Sequence, residues 1–193
     1  LLFLAIMAAN SASAAPKSGN ISVAFIMAGF EDQDFQEEYD QDYFEETAFA
    51  NTNSMWDYFD EVSKGALNIE GNVYGPYTLD GDAADYSSGS SFVRDSVEIA
   101  DDDIYYPDYD AVVAIHSGPG GESSGNSNDI WSAHWPTLTI STDDEDENGN
   151  DHFVDGISQV PEYQLSNGEK NPLGVWCHEF GHELGLPDYY DTD

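Results

Sequence analysis

The chain has 193 residues, with 39 Asp or Glu against 4 Lys or Arg, for a formal net charge of −35. Such a balance excludes nucleic acid and stable insertion into or attachment to an anionic membrane, because both partners need clustered cations. Hydrophobic residues at 40% and aromatics at 13% exclude an acidic disordered chain, and the length fits one domain.

Residues 1–9 are an unbroken apolar run, too short to span a bilayer, followed by Ala12-Ser13-Ala14. This is the pattern of a secretory signal peptide, so residues 1–14 are set apart from the fold and the protein is expected outside the cytoplasm. The lone Cys177 excludes an internal disulfide scaffold. Residues 15–193 are then expected to form one domain. It ends shortly after its most informative motif, so a C-terminal truncation is expected, with any cell-surface attachment in regions beyond Asp193.

Residues 20–30 (NISVAFIMAGF) predict a buried strand. An acidic stretch over 31–42 follows. Phe44, Ala48, Met55, Phe59 and Val62 then stand at helical spacing, which predicts a helix or two across 43–64, stopped at Gly65. Residues 67–79 (LNIEGNVYGPYTL) alternate and carry Gly-Asn and Gly-Pro pairs, predicting short strands. Residues 80–91 predict a loop, 92–104 a helix and 110–116 (DAVVAIH) a second buried strand, which ends in the Gly-rich loop 117–125. One or two more strands are expected over 131–140. Strands interleave with helices, so the fold class is α/β or α+β, a mixed sheet packed with helices.

Residues 174–188 read GVWCHEFGHELGLPD, and within them His178-Glu179-Phe180-Gly181-His182 is H-E-x-x-H. On a helix, positions i and i+4 share a face, so both imidazoles can reach one Zn²⁺, and Glu179 stands beside them as a general base. Asn171-Pro172 predicts the helix start and Gly185 its stop. Asp188 lies ten residues beyond His178, where the H-E-x-x-H-x-x-G-x-x-H pattern of metzincins places a third histidine, and a carboxylate oxygen also ligates zinc. Asp191, Asp193 or a residue beyond the end are alternatives for that third ligand. His116, His134 and His152 are isolated upstream and are expected to be structural. Cys177 projects about 100° round the helix from His178 and is expected to be a small buried hydrophobe.

The run HEFGHELGLPDYYD resembles the signature of the immune inhibitor A family of secreted zinc metallopeptidases. Residues 54–79, 110–121 (DAVVAIHSGPGG), 122–135 (ESSGNSNDIWSAHW), Pro161-Glu162-Tyr163 and Gly174-Val175 are similar to that family's blocks in the same order. The resemblance covers most of residues 21–193. It implies a zincin-like catalytic domain that hydrolyses peptide bonds in proteins, with His178 and His182 as ligands and Glu179 as base. The methionines, Met7, Met27 and Met55, all precede the motif, so the methionine turn that the metzincin analogy implies beneath the metal is expected beyond Asp193 or not at all.

Three further features carry weaker readings. Asp144, Asp146, Asn148, Asn150 and Asp155 stand at offsets 1, 3, 5, 7 and 12 of a Ca²⁺ loop with Gly149 at its sharp turn. Asp at offset 12 is shorter than the usual Glu, and a solvated turn is the competing expectation. Tyr189 and Tyr190 are candidates to hydrogen-bond a developing oxyanion or substrate. The Gly-rich loop lacks a following Lys and contains Glu122, which excludes a phosphate cradle and leaves a structural or cleft-lining loop. The composite expectation is an exported zinc endopeptidase acting on proteins or peptides. Its alternatives are a non-catalytic, metal-stabilised surface module and a zinc hydrolase of another amide class. The acidity far exceeds what a metal site needs and suggests a surface suited to high salt.

Overall fold

The computed structural model describes residues 17–166 and 169–188. The expected signal peptide lies outside them, as do Tyr189 and Tyr190. Among the described residues, no helix is long and apolar enough to cross a membrane.

The core is a five-stranded sheet in the order β2-β1-β3-β5-β4. It comprises β1 (Gly19–Phe30), β2 (Leu67–Leu79), β3 (Ala111–Pro119), β4 (Ala133–Glu145) and β5 (Asp151–Tyr163). The first four in spatial order run parallel, and β4 closes one edge antiparallel to β5. Strands β1 and β3 are apolar on both faces, as strands covered on both sides must be. Val23, Phe25 and Met27 enter one core, while Ala24, Ile26 and Ala28 enter the other.

On the first face lie α1 (Gln41–Phe49), α2 (Met55–Ser63) and α5 (Leu173–Glu183), contributing Phe44, Met55, Phe59, Trp176 and Phe180 to the core. Asp40 and Ser54 begin α1 and α2 by accepting the Tyr43 and Asp57 N–H groups, which satisfies backbone donors that the helix leaves unpaired. Val62, on the apolar spacing of α2, is instead 56% exposed. The opposite face is covered by α3 (Ser91–Ala100), through Phe92, Val93, Val97 and Ala100. The domain is thus mixed α and β, with a layered, zincin-like arrangement of sheet and helices. A four-residue α4 (Gly121–Ser124) and a two-stranded ribbon, β6 (Leu165–Ser166) with β7 (Glu169–Lys170), complete the elements.

Two stretches differ from expectation. The segment 67–79 is one continuous edge strand rather than several short ones. Its Gly71 lies so close to β1 that a Cβ would fall 1.9 Å from the Val23 carbonyl oxygen, and Pro76 is tolerated because the strand is an edge. The acidic stretch 144–155 spans the end of the β4–β5 hairpin and the start of β5, so the solvated-turn expectation is met only around residues 146–150.

Candidate metal centre

The side chains of α5 divide by helical position. Trp176 and Phe180, one turn apart, are buried in the core; Trp176 stacks on Phe25 and Phe44 and donates its indole N–H to the Pro161 carbonyl. His178 and His182 form a second i, i+4 pair about 200° round from Trp176, and they edge a cleft of about 650 Å³.

The helix ends in a Schellman stop. Gly185, at φ +85°, sends its N–H to the His182 carbonyl, and the Leu186 N–H bonds to that of Gly181. The left-handed turn suits glycine, and it folds the chain back over the last helical turn. Two consequences follow for the site. The Leu186 carbonyl oxygen comes within 2.8 Å of His182 Nδ1. A carbonyl only accepts, so Nδ1 carries the proton and the Nε2 lone pair is left for a metal. Two residues later, Asp188 Oδ1 reaches 3.3 Å from both His178 Nε2 and His182 Nε2.

These three ligand atoms lie within 4.8 Å of one another. A tetrahedral ion held at about 2.0–2.1 Å from its donors separates them by about 3.3–3.4 Å. Both distances to Asp188 match that edge, and two imidazoles with one carboxylate are a donor set suited to zinc. The residues present therefore fit the ion.

Glu179 lies between the two histidines in sequence and is 6% exposed. Burial pushes its carboxyl up to about 7; His182 opposes the shift, while Glu122 and Asp188 add to it. A carboxyl so placed can both take and return a proton near neutrality. Cys177 is half-buried beside the cleft, and burial pushes its thiol up to about 12, so it behaves as an apolar side chain. His116 is buried, with Nδ1 against the Ser117 carbonyl.

The structure does not gather the five residues of the Ca²⁺ reading. Asp155 lies opposite Thr139 and accepts its hydroxyl, while Asp151 pairs with Glu145 at the hairpin end. Four residues of strand, about 13 Å, separate Asp151 from Asp155. Asp144 accepts the Tyr106 N–H. Asp146 accepts the N–H groups of Asn148 and Asn150 and the Asn150 side chain, which holds its carboxyl down at about 2. The Asp146–Asn150 sequence is accounted for by this turn.

Other groups reach the site without a linear signal. Glu122, from the Gly-rich loop, accepts from Ser132 and Gln164 and is felt electrostatically by Glu179. His134 on edge strand β4 lies against the His182 ring. His134 arrives through β4–β5 pairing and Glu122 through α4 at the end of β3, neither of which local spacing reveals.

Residues 98–193, the C-terminal half of the chain, match the immune inhibitor A peptidase M6 catalytic domain. The chain belongs with the immune inhibitor A-like metallopeptidases. Immune inhibitor A of Bacillus thuringiensis subsp. alesti is 29% identical over 174 residues, covering 70% of this chain and 25% of that relative. The chain thus spans about a quarter of the relative's length. The matched half of this immune inhibitor A-like chain begins at the end of α3 and contains the β3–β5 part of the sheet and the whole histidine–aspartate cluster.

Proposed function

We propose that residues 15–193 are a zinc-dependent endopeptidase domain, exported by way of the signal-like residues 1–14 and acting on proteins or peptides. The observation that carries this reading is the placing of Asp188 Oδ1 at 3.3 Å from both imidazoles of the H-E-x-x-H helix. His178, His182 and Asp188 hold the ion, and the family match supplies peptidase chemistry. Zinc bound there supplies Lewis-acid polarisation and acidifies water. Glu179 takes the proton of the attacking water and hands it to the departing amide nitrogen, so that one carboxyl serves as base and then acid. Its burial keeps bulk water from competing for that proton.

Glu179→Gln keeps the shape and removes the base. It should retain one Zn²⁺ per chain and lower casein hydrolysis by at least about 100-fold, since positioned acid–base groups contribute about 10²–10⁴. Wild-type casein digestion by this variant would sink the mechanism. A wild-type protein that binds Zn²⁺ yet digests neither casein nor any peptide would instead favour the non-catalytic surface module. Activity confined to non-protein amides would favour the other hydrolase class.

A further inference from the structure

We propose that Lys17, Glu183 and His134 form a positioning array for His182, by which the leader to β1 is fastened to the C-terminal end of the active-site helix. The inference rests on the zinc reading above.

Glu183 directly follows His182 and ends α5. One carboxylate oxygen is paired with Lys17, Nζ to Oε1 at 2.9 Å, across 166 positions of sequence. The other lies 3.9 Å from His134 Nε2. The Glu183 and His134 side chains are only 13% and 7% exposed. The His134 ring, from β4, lies nearly parallel to that of His182, with centroids 6.2 Å apart and planes at 29°. Its Nδ1 is 3.1 Å from the Ser158 hydroxyl on β5, and that hydroxyl is 3.3 Å from the Glu179 carbonyl oxygen. Gly156 closes the space behind: a Cβ there would touch both the Glu183 carboxylate and the His134 ring, at 3.5 and 3.7 Å. The leader, β4 and β5 therefore converge on the last turn of the helix.

The charges make Lys17 the controlling member. Lys17 Nζ, at 2.9 Å, stands nearer the Glu183 carboxylate than His134 Nε2 does, at 3.9 Å. With 4 cations for 39 carboxylates in the chain, no substitute is at hand. Without Lys17, a mostly covered carboxylate turns toward water, releasing His134 from one side and the His182 ring from its packing partner. The hydrogen bond from His182 Nδ1 to Leu186 then fixes the ring alone. Groups that orient a metal ligand from behind typically influence metal affinity by about 10–100-fold.

The test uses the wild-type chain, Lys17→Met, Lys17→Arg, Glu183→Gln and the Lys17→Met/Glu183→Gln double variant. Zn²⁺ affinity is measured by competition with a chromogenic chelator, and thermal unfolding of the metal-free forms is recorded in parallel. Lys17→Met and Glu183→Gln should each weaken Zn²⁺ binding about 10-fold. The double variant should be no weaker than either, Lys17→Arg should restore most of the affinity, and metal-free unfolding should barely move. Unchanged affinity in Lys17→Met, or a loss that Lys17→Arg does not restore, overturns the array. Absence of stoichiometric Zn²⁺ binding by the wild type overturns the zinc reading itself.

Discussion

His116 is buried at 1% exposure on β3, its ring edge-on to Phe92 and its Nδ1 on the Ser117 carbonyl, while Nε2 has no hydrogen-bond partner among the described residues. Burial holds the imidazole down at about 4, against slight opposition from Ser117, Glu122 and Asp129. An unfolded chain takes up a proton at about 6.5, so between these values it binds more protons than the native state. Stability attributable to His116 is therefore complete above about pH 6.5 and is lost as pH falls toward 4, by up to about 1.4 kcal/mol per pH unit. His116→Asn keeps a donor for Ser117 and removes the titration. It should be less stable at pH 7.5, with the gap to wild type narrowing by about 1 kcal/mol per unit below pH 6 in urea melts. A gap that stays constant from pH 7.5 to 5 would count against a neutral native ring. The same residue marks the limit of sequence reading at this scale. His178, Glu179 and His182 stand out because helical spacing alone joins them. His134 and Glu122 are defined by partners some 10–60 residues away and His116 by its packing on Phe92, and no local pattern announces those partners.

At the scale of elements, the Schellman stop of α5 decides whether the third ligand arrives. Gly185 holds φ +85°, a conformation that costs an L side chain about 1–2 kcal/mol. Gly185→Ala should lower stability by about 1 kcal/mol. Its larger effect should be on Zn²⁺ binding, by about 10-fold or more, because the turn carries both the Leu186 carbonyl and Asp188. Chelator competition on Gly185→Ala and Gly185→Asn checks this, and Asn, which tolerates the left-handed region, should lose less. Equal Zn²⁺ affinity in all three proteins would disconnect the turn from the metal. The helix and its stop were legible because both obey a short local grammar. The two buried strands β1 and β3 were legible too, from apolar runs fixed by burial on both faces. Strand β4 was expected over 131–140 and runs over 133–145, whereas β5 had no counterpart in the sequence reading. Both sit at or beside the sheet edge, and their exposed positions are filled by Thr, Asp and Glu, so the acidic turn around Asp146 admits a Ca²⁺ loop beside the reading of a solvated turn. The edge strand β2 was broken in anticipation at Gly71 and Pro76, where the actual requirement is close approach to β1.

For the whole molecule, the charge sets the remaining prediction. The 39 carboxylates are distributed along the chain, and most of those described are exposed, so the native state confines a net charge of −35 in a small volume. Unfolding separates these charges, and repulsion therefore opposes the compact state. Screening relieves it: the Debye length shrinks from about 10 Å at 0.1 M to about 3 Å at 1 M. The attractive Lys17–Glu183 pair is weakened by the same salt, but it is one pair, with Lys17 45% exposed, against repulsion summed over dozens of exposed carboxylates. The net effect is stabilising. Thermal unfolding between 0.05 and 2 M NaCl should shift upward by several degrees, each kcal/mol being worth about 2–4 °C for a domain of this size. The rise should be steep below about 0.5 M and flatten near 1 M, where screening is nearly complete. A Tm that is flat or falls with salt would show that the charge is tolerated rather than destabilising. A rise that continues linearly past 2 M would assign the effect to exclusion of salt from apolar surface. The Lys17→Met variant separates the two scales: its melting point should climb with salt as the wild type's does, while the Zn²⁺ affinity gap between the two proteins narrows as the ion pair is screened.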